Sequence, residues 1–254
     1  MARLSPAQVA TYHDHGYVIP DFQVPSDVLE AIKARHAALL DSHPEFRDYC
    51  PALFDHDLGF LDYASNREIL DMVEQLIGGD FALWNMSFFA KPAGNGKRTP
   101  WHQDGEYWPI RPLATCTAWL AVDDSTVENG CLRVIRGSHK DQALKRHNKV
   151  AAGDVTLTQE LDKSEYDESK ADDIVLKAGQ ISLHDVYLLH GSEPNTSPKP
   201  RRGITMRFMP TTSVFDRELA HQKALAISSV DHATRQIFLM RGVDRSGQNS
   251  FVNA

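Results

Sequence analysis

The stretch Trp101-His102-Gln103-Asp104 is the most informative part of this 254-residue sequence. If residues 99–104 form a β-strand, side chains two positions apart project from the same face, so an imidazole and a carboxylate lie side by side. A third ligand must come from elsewhere in the chain, and the best candidate is His190, which follows an apolar run. Two histidines and one carboxylate are the ligand set of non-haem Fe(II) oxygenases, which keep further positions open on the metal. The pattern therefore predicts a metal site formed by His102, Asp104 and His190.

Strand-like segments surround this stretch, and helix-like segments lie before and after them. Apolar runs bounded by turn residues predict strands at 17–20, 81–91, 99–104, 115–122, 131–135, 174–177, 180–190 and 203–209. After a turn, the strand at 131–135 should pair back onto the strand at 115–122. Caps and apolar residues at helical spacing predict helices at 5–15, 25–40, 66–77, 216–226 and 233–239.

The order of these segments favours one fold class. Helices come first and seven or eight short strands follow, which is typical of an α+β protein that is mainly β. The strand-rich part predicts a double-sheet jelly roll of the cupin type, with the N-terminal helices packed on one sheet. We expect a single domain over residues 1–254, made of a helical part (1–80), a jelly-roll core (81–210) and a C-terminal helical or tail segment (211–254).

The composition argues against several classes of partner. The net charge is −7 and no run of five or more lysines and arginines occurs, so nucleic acid and anionic membranes are not expected as partners. No stretch of 18 apolar residues predicts a membrane span, and residues 1–20 lack the apolar core of a secretory signal. The cysteines, Cys50, Cys116 and Cys131, have no CxxC spacing and fit a reducing compartment. We therefore expect a cytoplasmic protein that acts on a small molecule.

An iron site of this kind needs two further electrons, which a 2-oxo acid usually supplies while it chelates the metal. The far carboxylate of such a co-substrate needs a buried cation, and a guanidinium fits because it forms a rigid bidentate fork. Arg201 lies eleven residues after His190, and a turn with two prolines would bring the two residues close together. By residue type alone, Arg202 and Arg207 are alternatives.

A long polar segment, residues 140–173, interrupts the strand pattern. It carries charges of both signs and few aromatic residues. Such a segment inside a compact domain is usually a functional loop, so an active-site lid is one interpretation.

Several longer motifs, taken together, resemble the phytanoyl-CoA dioxygenase family. They occupy residues 102–112, 118–124 and 128–139, followed by His190-Gly191-Ser192 and Arg201, in the order that the family has them. The opening segment, from Leu4 to Val18, also resembles the N-terminal helix and strand of that family. The resemblance covers roughly residues 4–210.

This resemblance implies a double-stranded β-helix, Fe(II), 2-oxoglutarate and O₂. By position, His102, Asp104 and His190 match the iron ligands of the family. The match also assigns co-substrate roles to Arg201 (the C5 carboxylate), Ser192 (its helper), Trp119 (a pocket residue) and Asn85 (a polar contact). Because related halogenases have a small residue in place of Asp104, its presence implies hydroxylation or another oxidation and not halogenation.

The residues that follow the metal motif are expected at the mouth of the cavity, and they are Glu106, Tyr107, Trp108 and Arg111. A carboxylate, two aromatic rings and a guanidinium suggest a small polar or zwitterionic substrate, and aromatic faces suit an ammonium group. The alternative is that Trp108 serves only in packing. Relatives commonly have proline where this chain has Arg136, which either faces solvent or points towards an anionic group of the substrate.

Three other functions share part of this pattern. A non-catalytic jelly-roll protein could bind 2-oxoglutarate or another metabolite without turnover. A zinc hydrolase could use the same three ligands and a water, but it would need a general base and no co-substrate pocket. A cupin could use iron for direct ring cleavage without a 2-oxo acid, and the absence of succinate among the products would identify it.

Overall fold

Two antiparallel sheets form the centre of the computed structural model, which describes residues 3–151 and 153–252. In chain order the strands are β1 (Tyr17–Val18), β2 (Tyr49–Cys50), β3 (Phe81–Lys91), β4 (Thr99–His102), β5 (Ile110–Arg111), β6 (Cys116–Ala121), β7 (Leu132–Ile135), β8 (His147–Lys149), β9 (Gln159–Leu161), β10 (Ala171–Ile174), β11 (Ile181–Asp185), β12 (His190–Ser192), β13 (Arg201–Pro210), β14 (Val214–Phe215) and β15 (Phe238–Arg241). The helices are α1 (Pro6–His15), α2 (Ser26–Ser42), α3 (Leu61–Ala64), α4 (Arg67–Ile77) and α5 (Arg217–Ile227). The larger sheet has the order β1-β11-β6-β13-β3-β15, with β2 also paired to β3, and the smaller sheet has the order β10-β7-β12-β4.

The helix starts follow local sequence signals. The Ser5 hydroxyl accepts a hydrogen bond from the Gln8 amide at 3.2 Å, and the Gln8 side chain accepts one from the Ser5 amide at 2.9 Å, which completes a capping box for α1. Gly16, with a φ of 85°, ends that helix in the left-handed conformation. The side chain of Asn66 caps α4 by accepting from two amides of its first turn. The predictions of α1, α2, α4 and α5 are confirmed to within two residues.

Helices α1, α2 and α4 pack on the outer face of the larger sheet. Their apolar residues and the outward side chains of β3, β6, β11 and β13 form one continuous core. Ile32, Met72 and Phe88 are fully buried there. Burial of one such side chain stabilises a fold by about 1.5–3 kcal/mol. The expected fold class, a mainly β jelly roll with the N-terminal helices on one sheet, is confirmed. None of the helices in the described ranges has the length and apolar character that crossing a membrane requires.

A β-bulge in β3 changes which side chains reach the space between the sheets. Arg207 of β13 pairs with Asn85, and Phe208 pairs with Leu83, so Trp84 is the extra residue. Trp84 packs on other aromatic rings of the interior, and its neighbour Asn85 lines a cavity there. The bulge therefore turns two consecutive side chains to the same side of the strand.

The sequence predicts one strand over residues 180–190, but the structure has two. Strand β11 ends at Asp185, the chain turns through residues 186–189, and β12 begins at His190 in the other sheet. The Asp185 carboxylate accepts a hydrogen bond from the Tyr187 amide at 2.8 Å and stabilises the turn. Because the apolar residues of this turn remain buried, the apolar run conceals the change of sheet.

Three other predictions of secondary structure and pairing are wrong. The sequence predicts that the strand at 131–135 pairs with β6, but the corresponding strand β7 pairs with β10 and β12. The strand expected at 174–177 lies earlier in the chain, as β10. No helix forms at 233–239, a segment that the structure describes: residues 233–237 are irregular, and β15 begins at Phe238 and pairs with β3. In each case the partner strand decides the conformation, and a single-sequence pattern does not contain that information.

Candidate metal centre

His102 and His190 are direct neighbours across two antiparallel strands. Strand β12 pairs with β4 so that His190 lies opposite His102, and the ring centroids are 4.1 Å apart. The Nδ1 of His102 lies 2.8 Å from the Pro100 carbonyl oxygen, and the Nδ1 of His190 lies 2.9 Å from the Leu188 carbonyl oxygen. Because a carbonyl oxygen only accepts, each Nδ1 carries a proton and each Nε2 keeps its lone pair for a metal.

Asp104 brings a carboxylate to the same point from outside the strand. The strand expected at 99–104 ends at His102, Gln103 stays extended, and Asp104 begins a 3₁₀ turn. One carboxylate oxygen of Asp104 lies 3.6 Å from the His102 Nε2 and 3.9 Å from the His190 Nε2. Burial opposes ionisation of Asp104, but hydrogen bonding to His184 and the positive charge of Arg207 outweigh it and hold its pKa well below the ordinary value. The carboxylate is therefore charged.

The three side chains form the only cluster of this kind in the part of the chain that the structure describes. All three are buried, and their ligand atoms lie within 4.8 Å of one another. Burial, together with the neighbouring His102, lowers the pKa of His190 well below its usual value, so the ring is neutral, as a metal ligand must be. Two imidazole nitrogens and one carboxylate oxygen fit Fe(II) and leave coordination positions open.

His184, the second-last residue of β11, is a buried histidine beside this cluster that the sequence pattern does not indicate. Its Nε2 lies 3.6 Å from the second carboxylate oxygen of Asp104, and its ring centroid is 5.2 Å from that of His190. A proton on this Nε2 would attract the second oxygen and turn the first oxygen towards the two predicted ligands. The available signal is a histidine inside the apolar run 180–190, which the pattern predicts to be one strand.

A cavity extends from the metal cluster to Arg201. Besides the three predicted ligands, it is lined by Phe89, Thr99, Trp119, Leu132, His184, Ser192, Arg201, Thr205 and Arg207. The structure thus brings the predicted co-substrate residues Arg201, Ser192 and Trp119 together with the predicted metal ligands. We call this space the first cavity.

Arg201 is buried without a protein partner for its charge. Its side chain is nearly inaccessible. Within the described ranges its Nε has no hydrogen-bond partner and its guanidinium forms no ion pair. The guanidinium carbon lies 5.3 Å from the centre of the Trp119 ring. Burial lowers the pKa of Arg201 to about 10, which still leaves it charged near neutral pH. Because an unpaired buried guanidinium is unfavourable, this environment fits a ligand carboxylate.

Arg202, one of the two alternatives, points away from the first cavity. Its Nε and Nη2 donate to the Asp123 carboxylate at 2.7 and 2.8 Å. Successive residues of a strand project from opposite faces, so only one of Arg201 and Arg202 can face the interior. The other alternative, Arg207, does line the first cavity.

A second cavity adjoins the metal cluster. It shares Phe89, His102, Asp104 and Arg207 with the first cavity. Its other lining residues are Tyr49, Asn85, Tyr107, Trp108, Thr156, Leu157, Thr158, Ser229, Val230 and His232. Asn85, expected to contact the co-substrate, thus lies on the wall of the second cavity and not on that of the first.

Of the four residues expected at the cavity mouth, Tyr107 and Trp108 line the second cavity. Trp108 also packs on Trp84, with the ring centroids 4.9 Å apart, so it has a packing role as well. Glu106 and Arg111 are not among the residues that line these two cavities. The Arg111 guanidinium instead donates to main-chain carbonyl oxygens of residues 108 and 110.

Arg136 lies at the surface, where its side chain is 52% exposed. Its Nε and Nη2 each donate to the Asp172 carboxylate at 2.9 Å. It lines neither cavity, so the structure agrees with the solvent-facing interpretation of this residue.

The polar segment 140–173 contains the β8–β9 hairpin and contributes residues 156–158 to the wall of the second cavity. Gln103 anchors its first part: the side-chain amide donates to the Ala143 and Tyr187 carbonyl oxygens and accepts from the Lys145 amide. A lid function for the segment remains a prediction.

The three cysteines are free and buried. Burial raises the pKa of Cys116 to about 12 and the pKa values of Cys50 and Cys131 to about 11. These thiols therefore stay protonated near neutral pH, and none of them is an activated nucleophile.

The sequence matches the family described as phytanoyl-CoA dioxygenase (PhyH) over residues 4–203. A curated relative, the "Phytanoyl-CoA dioxygenase domain-containing protein 1 homolog" of Dictyostelium discoideum, is 31% identical over 163 residues, which cover 62% of this chain and 57% of that protein. The chain spans about half the length of the curated relatives it matches.

Solved structures share the fold of this chain. The non-heme monooxygenase ThoJ, in its apo form, has a TM-score of 0.75 at 23% identity, and the similarity covers 97% of this chain and 86% of ThoJ. The epimerase SnoN, solved in complex with Fe3+, alpha ketoglutarate and nogalamycin RO, has a TM-score of 0.68 at 20% identity, with 83% of this chain and 85% of SnoN covered. At these identities the structures establish the fold alone. The family match, in contrast, extends over most of the sequence, and the chain belongs to the phytanoyl-CoA dioxygenase family.

Proposed function

We propose that the chain is a non-haem Fe(II)- and 2-oxoglutarate-dependent dioxygenase that oxidises a C–H bond of a small-molecule substrate. The observation that carries this proposal is that the His102, Asp104 and His190 cluster and the unpaired Arg201 guanidinium line the same cavity. Membership of the family supports it. SnoN, which shares the fold, is a case in which the fold holds iron and alpha ketoglutarate together.

The chain's own residues would bind and orient the reactants. His102 and His190 would hold iron through their Nε2 atoms and Asp104 through one carboxylate oxygen, and His184 would orient that carboxylate. Arg201 would pair with the C5 carboxylate of 2-oxoglutarate. Iron held there would, together with 2-oxoglutarate and O₂, supply the oxidising power, and the co-substrate would leave as succinate and CO₂.

The walls of the site would keep water away from the reacting groups. The three predicted ligands are only 2–6% exposed. Trp119, beside Arg201, and Tyr107 and Trp108, in the second cavity, are buried as well. Such a closed environment strengthens electrostatic interactions with bound ligands and limits side reactions.

The alternatives explain fewer of these features. A zinc hydrolase could use the same three ligands, but it would leave a buried, unpaired Arg201 without a purpose. A non-catalytic 2-oxoglutarate-binding protein and a ring-cleaving cupin share the metal ligands with the proposed enzyme. Their products separate them, because neither converts 2-oxoglutarate to succinate.

Conversion of 2-oxoglutarate to succinate tests the proposed function. The purified protein, supplied with Fe(II), 2-oxoglutarate, air and ascorbate as the reductant that replaces the unidentified substrate, should form succinate, and the Asp104→Ala variant should not. His221→Ala is a matched control, because His221 is exposed, pairs with Asp231 and lines neither cavity. Wild-type protein that binds Fe(II) and 2-oxoglutarate without forming succinate would contradict the proposal, and so would an Asp104→Ala variant with wild-type turnover.

A further inference from the structure

We infer that the second cavity binds a carboxylate group of the substrate on the Arg207 guanidinium, so that the substrate is an anionic small molecule. This inference rests on the proposed function, because it takes the second cavity as the place of the substrate. Arg207 is 4% exposed and lies on β13, six residues after Arg201. An even spacing on a strand places both guanidinium groups on the face that points between the sheets.

Arg207 is buried without an anionic partner. It forms no ion pair with a described carboxylate. Its Nη1 donates to the Ser87 hydroxyl at 2.6 Å, and its Nε has no partner among the residues that the structure describes. Its guanidinium carbon lies 5.1 Å from the centre of the Trp108 ring and 5.9 Å from that of Phe89. Aromatic faces stabilise a cation without neutralising it, so the remaining N–H donors are free for a ligand.

The charges on the wall of the second cavity favour an anion. Asp104 and Arg207 are the charged side chains among the residues that line it. The charge of Asp104 is committed to the metal site. His232 is neutral, because burial lowers its pKa to about 3, and its Nδ1 accepts a hydrogen bond from the Arg235 Nε at 3.2 Å. Arg235 itself pairs with Asp55 at 3.1 Å, which leaves Arg207 as the uncompensated charge of this wall.

A polar corner surrounds Arg207 in an otherwise aromatic cavity. Asn85 lies opposite Arg207 in the strand pairing, and its Nδ2 donates to the Pro51 carbonyl oxygen and the Ser87 hydroxyl. The Oδ1 of Asn85 is buried without a partner in the described ranges. The corner therefore offers guanidinium donors and one amide acceptor, while the aromatic rings nearby suit the apolar body of a ligand.

The C1 carboxylate of 2-oxoglutarate is the competing anion, since Arg207 also lines the first cavity. Two features favour the substrate. Trp108, which stacks on Arg207, and Asn85, its cross-strand neighbour, line the second cavity and not the first. In addition, six residues of strand separate the Cα atoms of Arg201 and Arg207 by about 20 Å, so the two guanidiniums belong to different ends of the site.

Matched pairs of small ligands test the inference on the anaerobic protein loaded with Fe(II) and 2-oxoglutarate. The probes are acetate with acetamide and phenylacetate with phenylacetamide, and their binding is followed by calorimetry and by the visible spectrum of the metal chelate. We expect each carboxylate to bind at least about tenfold more tightly than its amide, because only the carboxylate pairs with the guanidinium. Arg207→Gln should abolish this preference, and Arg207→Lys, which keeps the charge, should retain part of it.

The controls separate the inference from the proposed function. Arg202→Gln, which removes a guanidinium outside both cavities, should keep the carboxylate preference. Far-UV circular dichroism and thermal unfolding verify that the Arg207 variants fold.

An Arg207→Gln variant whose affinity for 2-oxoglutarate falls as much as its affinity for phenylacetate would assign Arg207 to the co-substrate and overturn the inference. Wild-type protein that binds carboxylates no more tightly than amides would also overturn the inference. Failure of the proposed function is distinguishable, because it shows at the loading step, before any probe is added, as a protein that forms no iron chelate with 2-oxoglutarate.

Discussion

Arg201 is the residue whose removal should act most selectively on the co-substrate. Its truncation breaks no protein ion pair, because the buried guanidinium has none in the described ranges. Arg201→Ala should weaken 2-oxoglutarate binding by roughly 2–5 kcal/mol, the cost of removing one partner of a buried charge pair, and leave Fe(II) affinity unchanged. Anaerobic calorimetry measures both affinities. An unchanged affinity for 2-oxoglutarate would move the role to Arg207, the other guanidinium of the first cavity.

His184 should act as a positioning residue for Asp104. Its Nε2 lies 3.6 Å from the carboxylate oxygen that does not face the other ligands. His184→Ala should lower Fe(II) affinity by about 10–100-fold, as loss of a partner behind a metal ligand usually does. His184→Gln keeps a donor and should retain more of the affinity. Calorimetric titration with Fe(II) measures these affinities. Equal Fe(II) affinities in the wild type, His184→Ala and His184→Gln would mean that His184 serves in packing alone.

At the scale of strands, the close approach of β13 to β6 shapes the pocket around Arg201. A Cβ atom added at Gly203 would overlap the Trp119 ring, which lies over the Arg201 guanidinium. Gly203→Ala should displace that ring, weaken 2-oxoglutarate binding and lower the free energy of unfolding by about 1–3 kcal/mol, the usual cost of overpacking.

Urea unfolding and 2-oxoglutarate titration measure the two effects of Gly203→Ala. Gly79→Ala is the matched control, because an added Cβ there meets only the Glu74 side chain, at 4.0 Å. Unchanged unfolding and unchanged 2-oxoglutarate affinity in Gly203→Ala would show that the ring adjusts without consequence for the pocket.

The elements that the sequence predicts well are those with local signals. The capping box at Ser5 and the apolar run of β3 are made of residues that lie in, or directly beside, the helix or strand that they specify. The change of sheet after Asp185 and the bulge at Trp84 depend on which strand lies alongside, and spacing along one chain does not encode that.

For the molecule as a whole, buried histidines other than the predicted metal ligands make the free energy of unfolding depend on pH. Burial lowers the pKa of His36 and of His147 to about 4 and that of His232 to about 3, from an ordinary value of 6.5. Below pH 6.5 the unfolded chain therefore binds protons that the folded chain does not, and acid favours unfolding. The free energy of unfolding should fall between pH 6.5 and about 4, by up to about 1.4 kcal/mol per histidine and pH unit.

Urea denaturation at a series of pH values measures this dependence. His36 stacks on Phe88, with the ring centroids 3.9 Å apart, so His36→Phe keeps a flat ring without the titrating group. In this variant the free energy of unfolding should depend less steeply on pH, by the equivalent of about one bound proton, because the unfolded chain has one histidine fewer to protonate. The same slope in wild type and variant would show that His36 does not contribute.

The candidate site is predictable from sequence to an unequal extent. His102 and Asp104 lie two residues apart, and the motifs around them resemble one family, so the metal ligands and Arg201 could be named beforehand. The position of His184 and the separation of Asn85 from Arg201 depend on the packing of two sheets and on a bulge. These contacts join distant parts of the chain, and only the three-dimensional structure reveals them.

Anaerobic titration of the metal-free protein, first with Fe(II) and then with 2-oxoglutarate, tests the joint iron and co-substrate site most directly. We predict the weak visible charge-transfer band of the iron–2-oxoglutarate chelate, its loss on exposure to oxygen and the release of succinate. Iron binding without this band would contradict the assignment of Arg201 and of the first cavity to 2-oxoglutarate. The hydrolase and ring-cleaving alternatives would then become the better explanations of the His102, Asp104 and His190 cluster.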